Sequence, residues 1–129
     1  MYLKQELENM RALLSESEAL GDCRIIIAYP YAKKPSRLGR VHIALYEGEV
    51  NGEAYALGQE EQRLSYQLCA SLFVPQNMGS PYTGELAKAV VKAMLSTYPL
   101  GIGVSEVKAN DELGCYEVRC SFTYEGREE

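Results

Sequence analysis

The residues of this chain that could do chemistry are one histidine, four cysteines, the adjacent carboxylates Glu60-Glu61 and Asp111-Glu112, and a short basic cluster. His42 lies in an alternating run, Arg40 to Glu47, and no serine, cysteine or aspartate stands near it in the pattern of a nucleophile and its base. A histidine on the polar face of a strand is expected to be solvated or hydrogen-bonded. An enzymatic or ligand-binding reading would have to join His42 to Tyr29 and the loop from Lys33 to Arg40. Cys23, Cys69, Cys115 and Cys120 form no C-x-x-C pair, and the last three fall inside strand patterns, where cysteine behaves as a small hydrophobe. A single histidine leaves zinc without an ordinary ligand set, so no metal and no cofactor is expected. Glu60-Glu61 and Asp111-Glu112 read as solvated turn charges. Gly101-x-Gly103 lacks the third glycine and the following helix of a nucleotide loop. Lys33, Lys34, Arg37 and Arg40 sit beside Pro35 and Gly39, in a loop that is either simply solvated or a partner contact.

Bulk properties narrow the classes further. The chain has 129 residues, 47 % hydrophobic and 24 % charged, enough for one domain with a real core. The net charge of −5 argues against a free-standing nucleic-acid binder, whose affinity would come from neutralising phosphates. No apolar run approaches the ~20 residues of a membrane span, and the charged N-terminal stretch lacks a signal core, so a soluble intracellular product is expected. Ten tyrosines and no tryptophan suggest amphipathic rings at edges and interfaces, which favours binding or assembly over catalysis.

The strongest periodic signal runs from Gln62 to Pro75. Leu64, Tyr66, Leu68, Ala70, Leu72 and Val74 alternate with Ser65, Gln67, Cys69 and Ser71, and Phe73 alone breaks the polar side. Such alternation predicts one long strand, half-buried, with a polar wall that meets water or a neighbour. Before it come a helix from Tyr2 to Leu20 with a Leu3-Leu7-Met10-Leu14 stripe, capped at Gly21, and a strand from Cys23 to Tyr29 buried on much of both faces. A strand from Arg40 to Glu47 follows. Asn51-Gly52 then signals a tight turn in a hairpin arm built from Val50 and the Ala54 to Leu57 run. Beyond Pro75, Ser80-Pro81 predicts a helix start, with Thr83 as a rival cap, and the helix runs to about Thr97 on a Leu86-Val90-Ala93-Met94 face. Leu100 to Ala109 and Cys115 to Tyr124 read as the closing strands. The expected fold is a two-layer α+β domain spanning residues 1–129. It has a mostly antiparallel sheet of four to five strands, two helices on one face and an extended hairpin arm.

In order and texture the chain resembles the tail-completion, or tail-terminator, proteins of long-tailed bacteriophages and prophages. The resemblance rests on four parts: the N-terminal helix; the Cys-Arg-Ile-Ile-Ile-Ala-Tyr-Pro strand with its basic loop; the long strand ending Leu-Phe-Val-Pro; and the Gly-Glu-Leu-Ala-Lys-Ala-Val helix with two closing strands. It implies a structural protein without catalysis, assembled as a homo-oligomeric ring, commonly a hexamer. Such a ring joins the tail tube to the head connector, in the bacterial cytoplasm during assembly and in the virion afterwards. The resemblance carries over no individual residue; from the arm and the basic loop themselves, the expected subunit or partner contacts are Val50, Tyr55, Leu57, Lys33, Lys34 and Arg37. DNA would only pass through, sliding past an acidic lumen without specific binding, and no membrane is involved. Another morphogenesis factor, a connector or baseplate component, is the alternative within the same class. A small enzyme or ligand-binding domain around His42 is the alternative outside it.

Overall fold

The computed structural model describes the backbone of residues 3–28, 39–54 and 62–127, and the side chains of these except 49–54, 62–64 and 126–127. The fold is α+β, with two helices packed on one face of a mixed six-stranded open sheet. In chain order the elements are α1 (Lys4–Ser15), β1 (Arg24–Ile27), β2 (His42–Ala54), β3 (Gln62–Pro75), α2 (Ser80–Met94), β4 (Gly101–Val104), β5 (Lys108–Asn110) and β6 (Cys115–Arg127). The sheet order is β1-β2-β3-β6-β4, with β5 also paired to β6.

The long strand keeps the bounds that its alternation predicts, Gln62 to Pro75. It lies at the centre of the sheet, antiparallel to β2 on one side and to β6 on the other. At roughly 3.3 Å per residue it spans about 45 Å. Its apolar row, Leu68, Ala70, Leu72 and Val74, is buried and aligned with Phe122, Cys120, Val118 and Tyr116 of β6. Leu7, Met10 and Leu14 of α1 and Leu86, Val90 and Met94 of α2 close over this face in one continuous core. The leucine stripe of α1 is thus core-facing, and Leu3 is fully buried with it.

The other face is less solvated than its polar sequence suggests. Cys69, Ser71 and Phe73 are all buried there, Ser71 at 8 % exposure. Phe73 breaks the alternation because it joins Ala44 and Cys115 in a second, small apolar cluster with Ile26 and Leu113. Ser71 is satisfied by a 3.0 Å hydrogen bond with the Tyr46 hydroxyl. The polar wall expected to meet water is therefore shielded at its centre by its own neighbours.

Several boundaries differ from the sequence reading. Helix α1 stops at Ser15, and a separate 3-10 turn spans Glu18–Leu20. Gly21 has φ −62°, so it supplies no left-handed cap. Helix α2 starts at Ser80 with Gly79 as the residue before it, φ 89°. Pro81 falls within its first turn, and the buried Thr83 donates its hydroxyl to the Gly79 carbonyl at 3.1 Å. Strand β1 is shorter than expected and is an edge strand, parallel to β2, with Arg24 exposed and Ile25 to Ile27 half-buried.

The Asn51-Gly52 turn signal is overridden. Both residues continue β2 and register with Ser65 and Leu64. The hairpin is longer than the sequence reading allowed, and the residues joining its strands, 55–61, lie outside the described residues. A β-bulge interrupts the β2–β3 ladder between Glu47 and Val50. Gly48 sits in it, where a Cβ would come within 2.8 Å of both Gln67 Cβ and Cys69 Sγ. Glycine is required there by this close approach.

The Leu100 to Ala109 stretch forms two strands because of a second irregularity. Val104 registers with Cys120 and Lys108 with Glu117, so three residues oppose two on β6. Ser105 pins the break: its N–H donates to the Arg119 carbonyl at 2.9 Å, and its hydroxyl accepts from the Arg119 N–H at 2.8 Å.

Candidate functional site

The two helices do not cover the whole sheet. Each is about 10–12 Å across, and strands are spaced by about 4.8 Å, so two helices cover roughly four strands. Strand β4, last in the sheet order, is left out. Its helix-side residues Ile102 and Val104 are 42 % and 52 % exposed, and Leu100, which extends the same ladder through its N–H to the Thr123 carbonyl, is 68 % exposed. Leu95 and Val107 are also exposed beside them. Between α2 and this edge runs an open groove of about 630 Å³, floored by Ala87, Val91, Leu95, Val104, Val107 and Val118. Lys88 and Lys92 line it on the helix side.

At the root of this edge, Tyr98 is 87 % exposed and holds a left-handed backbone, φ 54° and ψ 58°. A tyrosine in that region costs about 1–2 kcal/mol relative to the right-handed alternative. It closes the 3-10 turn Leu95–Thr97 just before Pro99, a residue that bars further helix. Among the described residues, the region therefore combines a terminal strand, an apolar row facing solvent and an exposed tyrosine on a left-handed backbone.

The sequence-predicted contact residues fare differently. Val50 lies in β2 opposite Tyr66 by register. Tyr55, Leu57, Lys33, Lys34 and Arg37 lie outside the described residues, as does Tyr29. The apolar β4 edge was missed. The available signal was the Leu100-x-Ile102-x-Val104 row, set against the limited reach of two helices.

Burial shifts the groups that could be reactive. The His42 imidazole is pushed below its ordinary value by burial and then by Arg24 and Arg40. Cys120 is pushed up to about 11 by burial, with Cys69 adding to the effect, and Cys115 to about 11 by burial and then by Glu117. Cys69 and Cys23 are raised as well, chiefly by burial. Such thiols are held away from the thiolate that attacks or ligates. No group of three or more His, Cys, Asp or Glu with metal-binding geometry occurs among the described residues. A shallow cleft of about 270 Å³ lies on the helix-free face between Tyr46, Ser71, Glu117 and Arg119. Among the described residues no helix is long and apolar enough to cross a membrane.

No protein-family model matches this chain, and no curated protein matches it. Among solved structures 25 chains match. One aligns over 96 % of this chain and 96 % of its own at 14 % identity, with a TM-score of 0.43.

Proposed function

We propose that this chain is a structural subunit of a phage or prophage particle, a tail terminator that assembles into a ring and joins the tail tube to the head connector. The observation that carries the reading is the β4 edge, a strand that ends the sheet with Leu100, Ile102 and Val104 in solvent and an apolar groove beside it. A terminal strand can be extended by a neighbour's main chain, and an exposed apolar row gives that pairing its hydrophobic contribution. The long β2–β3 hairpin leads into the segment where this reading places Tyr55 and Leu57 as contacts, and Val50 lies on its β2 strand. In this proposal the ring is a hexamer, the genome passes through without specific binding, and the chain works by packing alone.

Light scattering over a concentration series tests it. The expected result is a mass that rises to a closed multiple of 14.4 kDa. Loss of that species when Val104 is replaced by lysine would place β4 at the contact. A chain that stays monomeric at every concentration, and also fails to be retained by purified tail tubes, would overturn the proposal. Position of the gene beside the tail-tube gene, rather than the portal gene, separates a terminator from a connector.

A further inference from the structure

The charges of this chain are segregated along it. Residues 23–46 hold Arg24, Lys33, Lys34, Arg37 and Arg40, together with His42, and no aspartate or glutamate. That stretch is strongly basic inside a chain whose net charge is −5. An acidic total does not rule out a local anion site, because a bound ion responds to charges within about one Debye length, roughly 8 Å at physiological ionic strength.

Arg24, Arg40 and His42 meet at one corner of the sheet. Strand β1 is an edge strand, parallel to β2, and Arg24 registers with His42. Register partners share a face and strands lie about 4.8 Å apart, so these two side chains rise side by side on the helix-free face. Arg40 stands two residues before His42, and its charge acts on both His42 and Cys23, which brings it to the same corner. The backbone beneath them is fixed. The Arg24 N–H donates to the Val41 carbonyl at 2.9 Å, and Val41, between Arg40 and His42, is buried. Arg24 and Arg40 are both exposed, so a solute can reach their guanidinium groups.

No carboxylate answers this cluster. Among the described residues, Arg24, Arg40 and His42 make no side-chain hydrogen bond and no ion pair. Asp22, the nearest carboxylate in sequence, is exposed and acts on Cys23. From β3, Phe73 faces His42, and beyond it Glu117 of β6 already accepts a 2.8 Å hydrogen bond from Asn110. After burial, the influences on the His42 imidazole are Arg24 and Arg40, and both push it down. Like charges gathered in this way are relieved by an anion.

We infer that the β1–β2 corner binds a phosphate group in its dianionic form, as the free ion or a terminal monoester, between the Arg24 and Arg40 guanidinium groups with His42 beside it. Its two charges match the two arginines, and its oxygens can accept from both guanidinium forks and from an imidazole N–H. A carboxylate or a phosphodiester carries one charge and leaves the cluster half answered. Neither β4 nor any contact between copies is involved, so the site stands or falls apart from the ring proposal.

The test uses the whole chain and the ring resonance of His42, which is unambiguous because it is the one histidine. Inorganic phosphate, thymidine 5′-monophosphate, acetate and a dithymidine diester without terminal phosphate are titrated at matched ionic strength. The expected result is saturable movement of the His42 signal with the two dianions, and about tenfold weaker binding in Arg24→Gln and in Arg40→Gln, whose exposed positions leave the fold intact. Lys88→Gln, which removes one cation on α2, should bind as the wild type does. In saturating sulfate, a dianion across the whole pH range used, the His42 titration midpoint should rise, because the bound anion favours the imidazolium. Tighter binding of free phosphate assigns the site to the ion, and tighter binding of the nucleotide assigns it to a monoester. Acetate or the diester binding as well as phosphate, wild-type binding by both arginine variants, equal loss in Lys88→Gln, or a His42 signal that never saturates would each overturn the inference.

Discussion

Replacing Val104 with lysine separates the edge from the rest of the fold. Val104 is 52 % exposed, so folding of one chain gains only about half of the ~1.5–3 kcal/mol that full burial of such a side chain returns. The substitution should cost the isolated subunit about 1 kcal/mol, small against the roughly 5–15 kcal/mol stability of a typical domain. In an assembly that covers β4 the same change removes the other half of that burial. It also forces an ammonium group out of water beside Lys88 and Lys92, at a cost of a few kcal/mol. The total, about 3–4 kcal/mol per contact, weakens association by two to three decades. The assay is mass against concentration by light scattering, with circular dichroism to confirm the fold. Ala19→Lys, which adds the same charge on an exposed turn, serves as control. If Val104→Lys keeps the wild-type mass curve while folded, the edge is not the contact and the reasoning fails. If the control dissociates equally, the effect is net charge alone.

Other consequences follow from single features. Gly48→Ala should destabilise the fold by about 1–3 kcal/mol, because its Cβ would press on Gln67 Cβ and Cys69 Sγ; urea midpoints measure this, and an unchanged midpoint would mean that the bulge yields freely. The Cys120 thiol keeps its proton up to about pH 11 in the folded chain, against an ordinary value of 9.0. Below pH 9.0 both states hold the proton and nothing changes; between the two values only the unfolded chain releases it, so stability falls as pH rises, by about 1 kcal/mol at pH 10. Cys115 adds in the same direction, and replacing Cys120 with alanine should flatten the alkaline limb of a denaturation series. Under limited alkylation read by mass spectrometry, the partly exposed Cys23 should react before the buried Cys69, Cys115 and Cys120. Reaction of a buried thiol first would point to local opening of the sheet.

How much was legible in the sequence depended on whether local pattern or tertiary pairing decided each element. The limits of β3 followed from alternation, because a strand with one buried face must present side chains with period two. The stripes of α1 and α2 were legible for the corresponding helical reason. Asn51-Gly52 misled because its turn preference is worth less than the ladder it joins on β3. The parallel placement of β1 at the edge was invisible, since strand order is set by contacts distant in sequence. Phe73 and Ser71 show the same limit: their burial comes from neighbours on β2 and β6, not from their own strand. The β4 row could have been found by counting how many strands two helices can cover.

The central pairing of β3 with β6 also sets when the molecule can fold. The two strands align Pro75 with Cys115 and Arg63 with Arg127, so the partner of β3's apolar row lies 40 to 64 residues downstream. On a ribosome making roughly 5–20 residues per second, about 3–10 s pass between completion of β3 and completion of β6. Through that interval the β2–β3 hairpin can close and α2 is completed, yet Leu68 and Leu72 still lack Phe122 and Val118 beside them. The nascent chain therefore carries its most aggregation-prone surface at its middle, and its safe maturation depends on whatever shields that hairpin until the last strand emerges.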